Sequence, residues 1–194
     1  MTPTVTVTYY LQVLSSWCHW AEPAWSAIKA RYGKKVRFEW KIASMNPEDF
    51  PATAAACDWF YRRSRTVMKS PYGLNSGWIE PGRRNGYPAP DLVVEAARSL
   101  GAVGDKVRLA VSRAAVREGR RMGNMDEAVE VAARAGKLSP TKLKAAAQSK
   151  AIAARVAAST ADSHAYRIPN ARLSSSRTPL ATRPCSPAWF GLNR

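Results

Sequence analysis

The sequence predicts an α/β fold in which a short β-α-β unit precedes a long all-helical segment. Two period-two patterns, over residues 4–14 and 36–42, indicate strands, and a helical pattern over residues 20–32 separates them. After Asn46-Pro47 the apolar spacing becomes helical and stays so for about a hundred residues. The 194 residues, 46% of them hydrophobic, can bury a sizeable core as one domain or as a small core with a large insertion.

Each element of the β-α-β unit has its own signal. The first strand alternates apolar residues from Val5 to Val13, and Tyr10 on its other face indicates burial on both sides. The helix is expected to end at Gly33. Because a helix connects the two strands, they are expected to pair in parallel.

Turn signals divide the helical segment. Helices are expected over residues 52–63, 91–100, 105–122, 126–135 and 139–159, with an irregular Gly- and Pro-rich loop over residues 70–90. Ser139 is the expected N-cap of the last helix, with Pro140 at its first position.

The charge balance is basic, with 30 Lys and Arg against 14 Asp and Glu, a net charge of +16. This excess is typical of a protein that binds nucleic acid or another acidic partner. It clusters at residues 62–65 and at Arg113, Arg117, Arg120 and Arg121. A solvated basic helix face accounts for the same residues, and the sequence contains none of the common nucleic-acid-binding motifs.

The three cysteines and two histidines do not pair at metal-ligand intervals, so no metal site is expected. The N-terminal stretch lacks the pattern of a signal peptide, and no apolar run is long enough to span a bilayer. With so few cysteines, we expect a cytoplasmic protein without a membrane segment.

Cys18 is the candidate nucleophile, because it lies where the first strand gives way to a helix. A helix N-terminus stabilises a thiolate and lowers its pKa, and a protonated His19 would add positive charge. The alternative interpretation is that Cys18 is a small buried packing residue. Cys57, inside a predicted helix, is interpreted as a packing residue. Trp17 and Trp20 flank Cys18 and either line a groove for a peptide or flat ligand or pack in the core.

The order of these features resembles the DsbA-like branch of the thioredoxin superfamily over roughly residues 4–169. The features are a strand, Trp17-Cys18-His19-Trp20-Ala21 at a helix start, a second strand and a helical insertion. The branch includes cytoplasmic DsbA-like oxidoreductases, 2-hydroxychromene-2-carboxylate isomerases and kappa-class glutathione transferases. The resemblance implies a thioredoxin-like β-α-β unit over residues 1–50, a helical insertion over 51–160 and the start of the returning half over 161–169.

Within the family's Cys-x-x-Cys motif, Cys18 matches the nucleophilic cysteine and Ala21 stands where the resolving cysteine would be. The resemblance therefore implies a thiol–disulfide oxidoreductase that uses a single cysteine, or else a glutathione-dependent isomerase or transferase, in either case with no bound cofactor. In the oxidoreductase, glutathione as co-substrate, the substrate itself or a third protein would supply the resolving thiol. It also implies a substrate-binding role for four residues, the last of which matches the family's cis-proline: Trp17, His19, Trp20 and Pro169. Arg62, Arg63 or Arg65 could bind a glutathione carboxylate or form a solvated helix end. A basic binding protein without catalysis, for nucleic acid or an acidic partner, remains the alternative function.

Residues 170–194 depart from the family pattern. They contain four Ser, three Pro and four Arg, but no Val, Ile, Lys or acid. We therefore expect an irregular tail, with the C-terminal β-hairpin and helix of the family missing and a sheet edge exposed. A reading-frame shift in a GC-rich coding region produces such a jump in composition, and a natural basic tail is the alternative.

Overall fold

The computed structural model describes residues 5–83, 85–166 and 190–193. The strands in this part of the chain are β1 (Thr6–Leu11), β2 (Arg37–Ile42) and β3 (Phe190–Asn193). The helices are α1 (Ser16–Tyr32), α2 (Ala54–Val67), α3 (Pro88–Ser99), α4 (Lys106–Val116), α5 (Met125–Gly136), α6 (Pro140–Ala147) and α7 (Lys150–Ala165). A short 3-10 turn at Pro47–Asp49 lies between β2 and α2.

The sheet has the strand order β2-β1-β3. Strands β1 and β2 are parallel, with Thr6 opposite Arg37 and Leu11 opposite Ile42, and α1 connects them. The predicted β-α-β unit is therefore confirmed, including its parallel pairing.

Strand β3 corrects one expectation from the sequence. Residues 170–194 were expected to contain no strand, but Phe190–Asn193 pairs antiparallel with β1, from Thr6 opposite Asn193 to Tyr9 opposite Phe190. The backbone of these four residues supplies the hydrogen bonds that the edge of β1 would otherwise leave unmet. Residues 167–189 lie outside the described residues.

Two helix boundaries differ from the sequence prediction because serine side chains cap the helices. Helix α1 begins at Ser16 rather than Trp20, since the Ser15 side chain accepts a hydrogen bond from the Cys18 backbone N–H. The predicted helix over residues 139–159 is two helices, because Ser149 caps a new one at the Ile152 N–H. The expected Ser139 cap is confirmed through the Lys142 N–H.

The helices that follow β2 pack directly on the β-α-β unit. One buried core contains strand residues such as Tyr9 and Ile42 together with helix residues such as Val93 and Val111. Polar contacts cross the same boundary, for example from the Ser159 hydroxyl to the Ile42 carbonyl at 2.6 Å. Among the described helices, none combines the length and apolar character needed to cross a membrane.

Candidate functional site

Cys18 lies in the first turn of α1, directly after the β1–α1 turn of residues 12–15. It is half-buried and has a free thiol. The Tyr9 hydroxyl donates a hydrogen bond to the Cys18 carbonyl at 3.2 Å, so a core residue of β1 supports this turn from below. The sequence thus places a thiol at a helix N-terminus, as expected.

Burial raises the pKa of the Cys18 thiol above its ordinary value. The Gln12 backbone and the Ser15 and Tyr9 hydroxyls favour the thiolate and oppose that rise, whereas the charge of Glu22 adds to it. The predicted low pKa of Cys18 is therefore wrong, because the cost of removing the thiolate from water outweighs the effect of the favourable groups around it.

The expected positive charge of His19 beside Cys18 is also wrong. Burial lowers the pKa of His19 to about 4, and the positive charges of Arg117 and Arg113 contribute to the shift. His19 is therefore neutral at pH 7 and adds no positive charge beside Cys18.

Aromatic rings surround the first turn of α1. Trp17 packs edge-on against Phe60 of α2 with ring centroids 6.0 Å apart, and it is only partly buried. Trp20 is buried and stacks on Tyr72 at 5.1 Å, while His19 meets the edge of the same Tyr72 ring at 6.4 Å. The loop after α2 therefore covers one side of the Cys18 turn through Tyr72.

Two small cavities border the turn. One, of about 10 Å³, has room for at most one water molecule and is lined by Cys18, His19 and Ser112 among others. The other, of about 40 Å³, lies on the opposite side between Trp17, Phe60 and Trp78. A larger groove of about 710 Å³ between α5 and α6 shares no lining residue with either of them.

Asp91 of α3 is a buried carboxyl group that reasoning from the sequence missed. It accepts hydrogen bonds from the Ser44 hydroxyl at 2.7 Å, the Gln12 side-chain amide at 3.2 Å and the Val13 N–H at 3.4 Å. The Gln12 side chain in turn accepts from the Leu14 N–H. Asp91 thereby joins the insertion to the turn that carries Cys18, and burial raises its pKa to about 6. An acid on the apolar face of a predicted helix is the only signal of this role in the sequence.

The sequence also contains no signal of the role of Arg108 of α4. Arg108 is 3% exposed and binds both carboxylate oxygens of Glu22, at 2.5 and 3.0 Å, and also Asp105 at 2.8 Å. These bonds attach α4 to α1 one turn beyond Cys18.

The predicted basic cluster on α4 and after it is partly neutralised by neighbouring acids. Arg113 pairs with Glu118, and Arg120 pairs with Glu127 and Glu130. Arg117 instead lies over the Tyr72 ring, with its guanidinium carbon 3.5 Å from the ring centroid. At the end of α2, Arg65 donates to the carbonyls of Ser70 and Pro71, and Arg63 lies over Trp59.

The other chemically relevant residues lie elsewhere. Cys57 is buried in α2, and burial raises its pKa to about 11, as expected of a packing residue. Pro169 and Cys185 lie outside the described residues. Within the described ranges, no group of three or more His, Cys, Asp or Glu side chains is arranged to hold a metal ion.

Comparisons with known proteins extend this picture. No family model matches the chain. No curated protein matches it either. Several solved structures are similar to the chain. A candidate protein disulfide isomerase from Nitrosomonas europaea superposes with a TM-score of 0.69 at 14% identity, over 87% of this chain and 82% of the other.

Two further structures are similar. The cytosolic disulfide reductase DsbM from Pseudomonas aeruginosa, solved with GSH, gives a TM-score of 0.64 at 19% identity, over 84% of this chain and 81% of the other. A 2-hydroxychromene-2-carboxylate isomerase gives 0.58 at 13% identity, over 84% and 81%. The chain has the DsbA-like thioredoxin fold with a helical insertion, as the sequence predicted.

Proposed function

We propose that this protein is a thiol–disulfide oxidoreductase that acts through the single nucleophile Cys18, with glutathione as co-substrate. The observation that carries the proposal is the position of Cys18, a free thiol in the first turn of α1 with the Ser15 and Tyr9 hydroxyls beside it. The DsbA-like fold supports it, and so does the similarity to DsbM, which is described as a cytosolic disulfide reductase and was solved with GSH. A reducing cytoplasm is the compartment that suits this reaction.

The absence of a second thiol at Ala21 sets the order of steps. The Cys18 thiolate attacks the glutathione sulfur of a mixed disulfide RS–SG, forms Cys18–S–SG and releases RS⁻, which takes up a proton. A glutathione thiolate then attacks the glutathione sulfur on Cys18, which releases GSSG and restores the thiol. The two exchanges sum to RS–SG + GSH → RSH + GSSG, so glutathione is the reductant.

Three neighbours of Cys18 have supporting roles in this scheme. The Tyr9 and Ser15 hydroxyls lower the pKa of Cys18 and so offset part of the cost of burying its thiolate. Trp17, with its partly exposed ring beside the 40 Å³ cavity, offers an apolar contact for the substrate.

A coupled assay of glutathione-dependent disulfide reduction, with the mixed disulfide of glutathione and hydroxyethanethiol as substrate, tests the proposal. The Cys18→Ser variant is expected to lose turnover, whereas Cys57→Ser is expected to retain most of it, because Cys57 is enclosed in α2. Turnover in Cys18→Ser equal to that of the wild type would refute it. Steep salt-dependent retention on heparin by a catalytically silent protein would instead favour the nucleic-acid or acidic-partner alternative.

A further inference from the structure

Arg117 differs from three other arginines on or beside α4 in what its guanidinium contacts. Arg108 and Arg113 each bind a carboxylate, and so does Arg120 after the helix. Among the described residues, the Arg117 side chain has no acidic partner and donates no hydrogen bond. It is only half-exposed, so its charge is less well screened than that of a surface arginine.

Tyr72 holds this guanidinium in place. The Arg117 guanidinium carbon lies 3.5 Å from the centroid of the Tyr72 ring, and the same ring stacks on Trp20 with an interplanar angle of 30°. The loop that carries Tyr72 is fixed to the end of α4, because the Asn75 N–H donates to the Val116 carbonyl at 2.8 Å. A guanidinium held against an aromatic ring keeps its N–H edge available for a carboxylate.

The stack is adjacent to Cys18. Tyr72 contacts both His19 and Trp20, which directly follow the cysteine in α1. Burial is the main cause of the lowered pKa of His19, and the charges of Arg117 and Arg113 add to it, so their positive potential extends to the edge of the turn. The buried Trp20 Nε1 in the same cluster has no hydrogen-bond partner among the described residues.

We propose that Arg117, held on Tyr72 and assisted by Arg113, is an anion-binding site that selects thiol and disulfide substrates carrying a carboxylate near the reacting sulfur, as glutathione does. This inference rests on the proposed function of Cys18. A carboxylate bound by Arg117 would place the attached sulfur at the Cys18 turn and would give the guanidinium the partner that it lacks.

Two disulfides of opposite character test the site. The second-order rate constant for mixed-disulfide formation at Cys18 is measured with glutathione disulfide, which carries carboxylates, and with neutral hydroxyethyl disulfide. Arg117→Gln is expected to lower the rate constant for glutathione disulfide roughly tenfold and to leave that for hydroxyethyl disulfide within about twofold. Arg134→Gln removes an equal charge from exposed α5 and is expected to change neither rate constant.

A second pair of variants tests the stack. Tyr72→Phe keeps the ring and is expected to retain the preference for glutathione disulfide, whereas Tyr72→Leu is expected to lose most of it. Equal loss toward both disulfides in Arg117→Gln would mean that Arg117 only supports the loop, and it would overturn the anion site. An unchanged preference in that variant would overturn it as well. A wild-type Cys18 that reacts with neither disulfide would instead refute the proposed function itself.

Discussion

At the scale of single residues, Cys18 shows how burial and hydrogen bonding compete. Burial disfavours the thiolate, and the donors at Gln12, Ser15 and Tyr9 favour it. Burial dominates, so we expect a thiol that is mostly protonated at neutral pH. A thiolate of high pKa is intrinsically a strong nucleophile, which offsets part of the loss in its population.

The Tyr9→Phe variant tests the contribution of one donor. Removing the hydroxyl is expected to raise the pKa of Cys18 further and to slow its alkylation by iodoacetamide at pH 8 roughly threefold to tenfold. Tyr61→Phe is the matched control, since Tyr61 is equally buried but bonds Trp78 in the α2 region. Equal alkylation profiles for Tyr9→Phe and wild type from pH 7 to pH 10 would show that the Tyr9 hydroxyl does not act on the sulfur.

The residue types at the site were partly readable from the sequence. Cys18, Trp17, His19 and Trp20 are contiguous, so one strand-to-helix junction identified them together. Asp91 reaches the same turn from α3, whereas Arg117 at the end of α4 lies on Tyr72, whose ring contacts His19 and Trp20. Only the packing of these elements brings them there. The pKa directions of Cys18 and His19 could not be predicted, because burial by distant elements determines both.

At the scale of secondary-structure elements, α1 presents Ala21 one turn after Cys18. In an α-helix, Cα atoms three residues apart are separated by about 5 Å, which lies within the range that a disulfide bridges. Cys18 and Ala21 therefore have the spacing of the two cysteines in the family's Cys-x-x-Cys motif.

Ala21→Cys is therefore expected to form an internal disulfide with Cys18 under mild oxidation and to gain dithiol oxidase activity. Thiol counting and peptide mapping of the oxidised variant would detect the bridge. The Ala27→Cys variant, nine residues from Cys18 along the same helix, is the control and should form none. If the Ala21→Cys variant keeps both thiols free, the alignment of this turn with the family motif is wrong.

Helix α3 meets the Cys18 turn through Asp91, and this contact has a pH signature. The pKa of Asp91 is about 6 in the folded protein against 3.8 ordinarily, so the folded state binds the proton more tightly than the unfolded state. Its contribution to stability is therefore fully present below about pH 4 and is lost as the pH rises through 6. The loss amounts to about 3 kcal/mol.

Urea unfolding of Asp91→Asn and wild type between pH 4 and pH 7 tests this sign. The free energy of unfolding of the wild type is expected to fall relative to the variant as the pH rises, because the variant has no carboxyl group to ionise there. Parallel curves across this range would contradict the buried, ionisable state of Asp91. Other acids titrate in both proteins and cancel in the difference.

At the scale of the whole molecule, the sequence predicted the β-α-β unit and the helical insertion because their apolar periodicity is local. It did not predict β3, since Phe190–Asn193 has no strand pattern and forms a strand only by pairing with β1. It also did not predict how the two parts join, which depends on the buried contacts of Asp91 and Arg108. The proposed active site at Cys18 therefore lies where the thioredoxin-like unit meets its helical insertion.

The sulfur atom that receives glutathione is the most direct test of Cys18 as the nucleophile. Wild type, Cys18→Ser and Cys57→Ser are each reacted briefly with glutathione disulfide and examined by intact mass and peptide mapping. One glutathione is expected on Cys18 in the wild type and in Cys57→Ser, and none on the corresponding peptide of Cys18→Ser. Glutathione found on Cys57 or Cys185, with the Cys18 thiol left free in the wild type, would show that Cys18 is not the nucleophile.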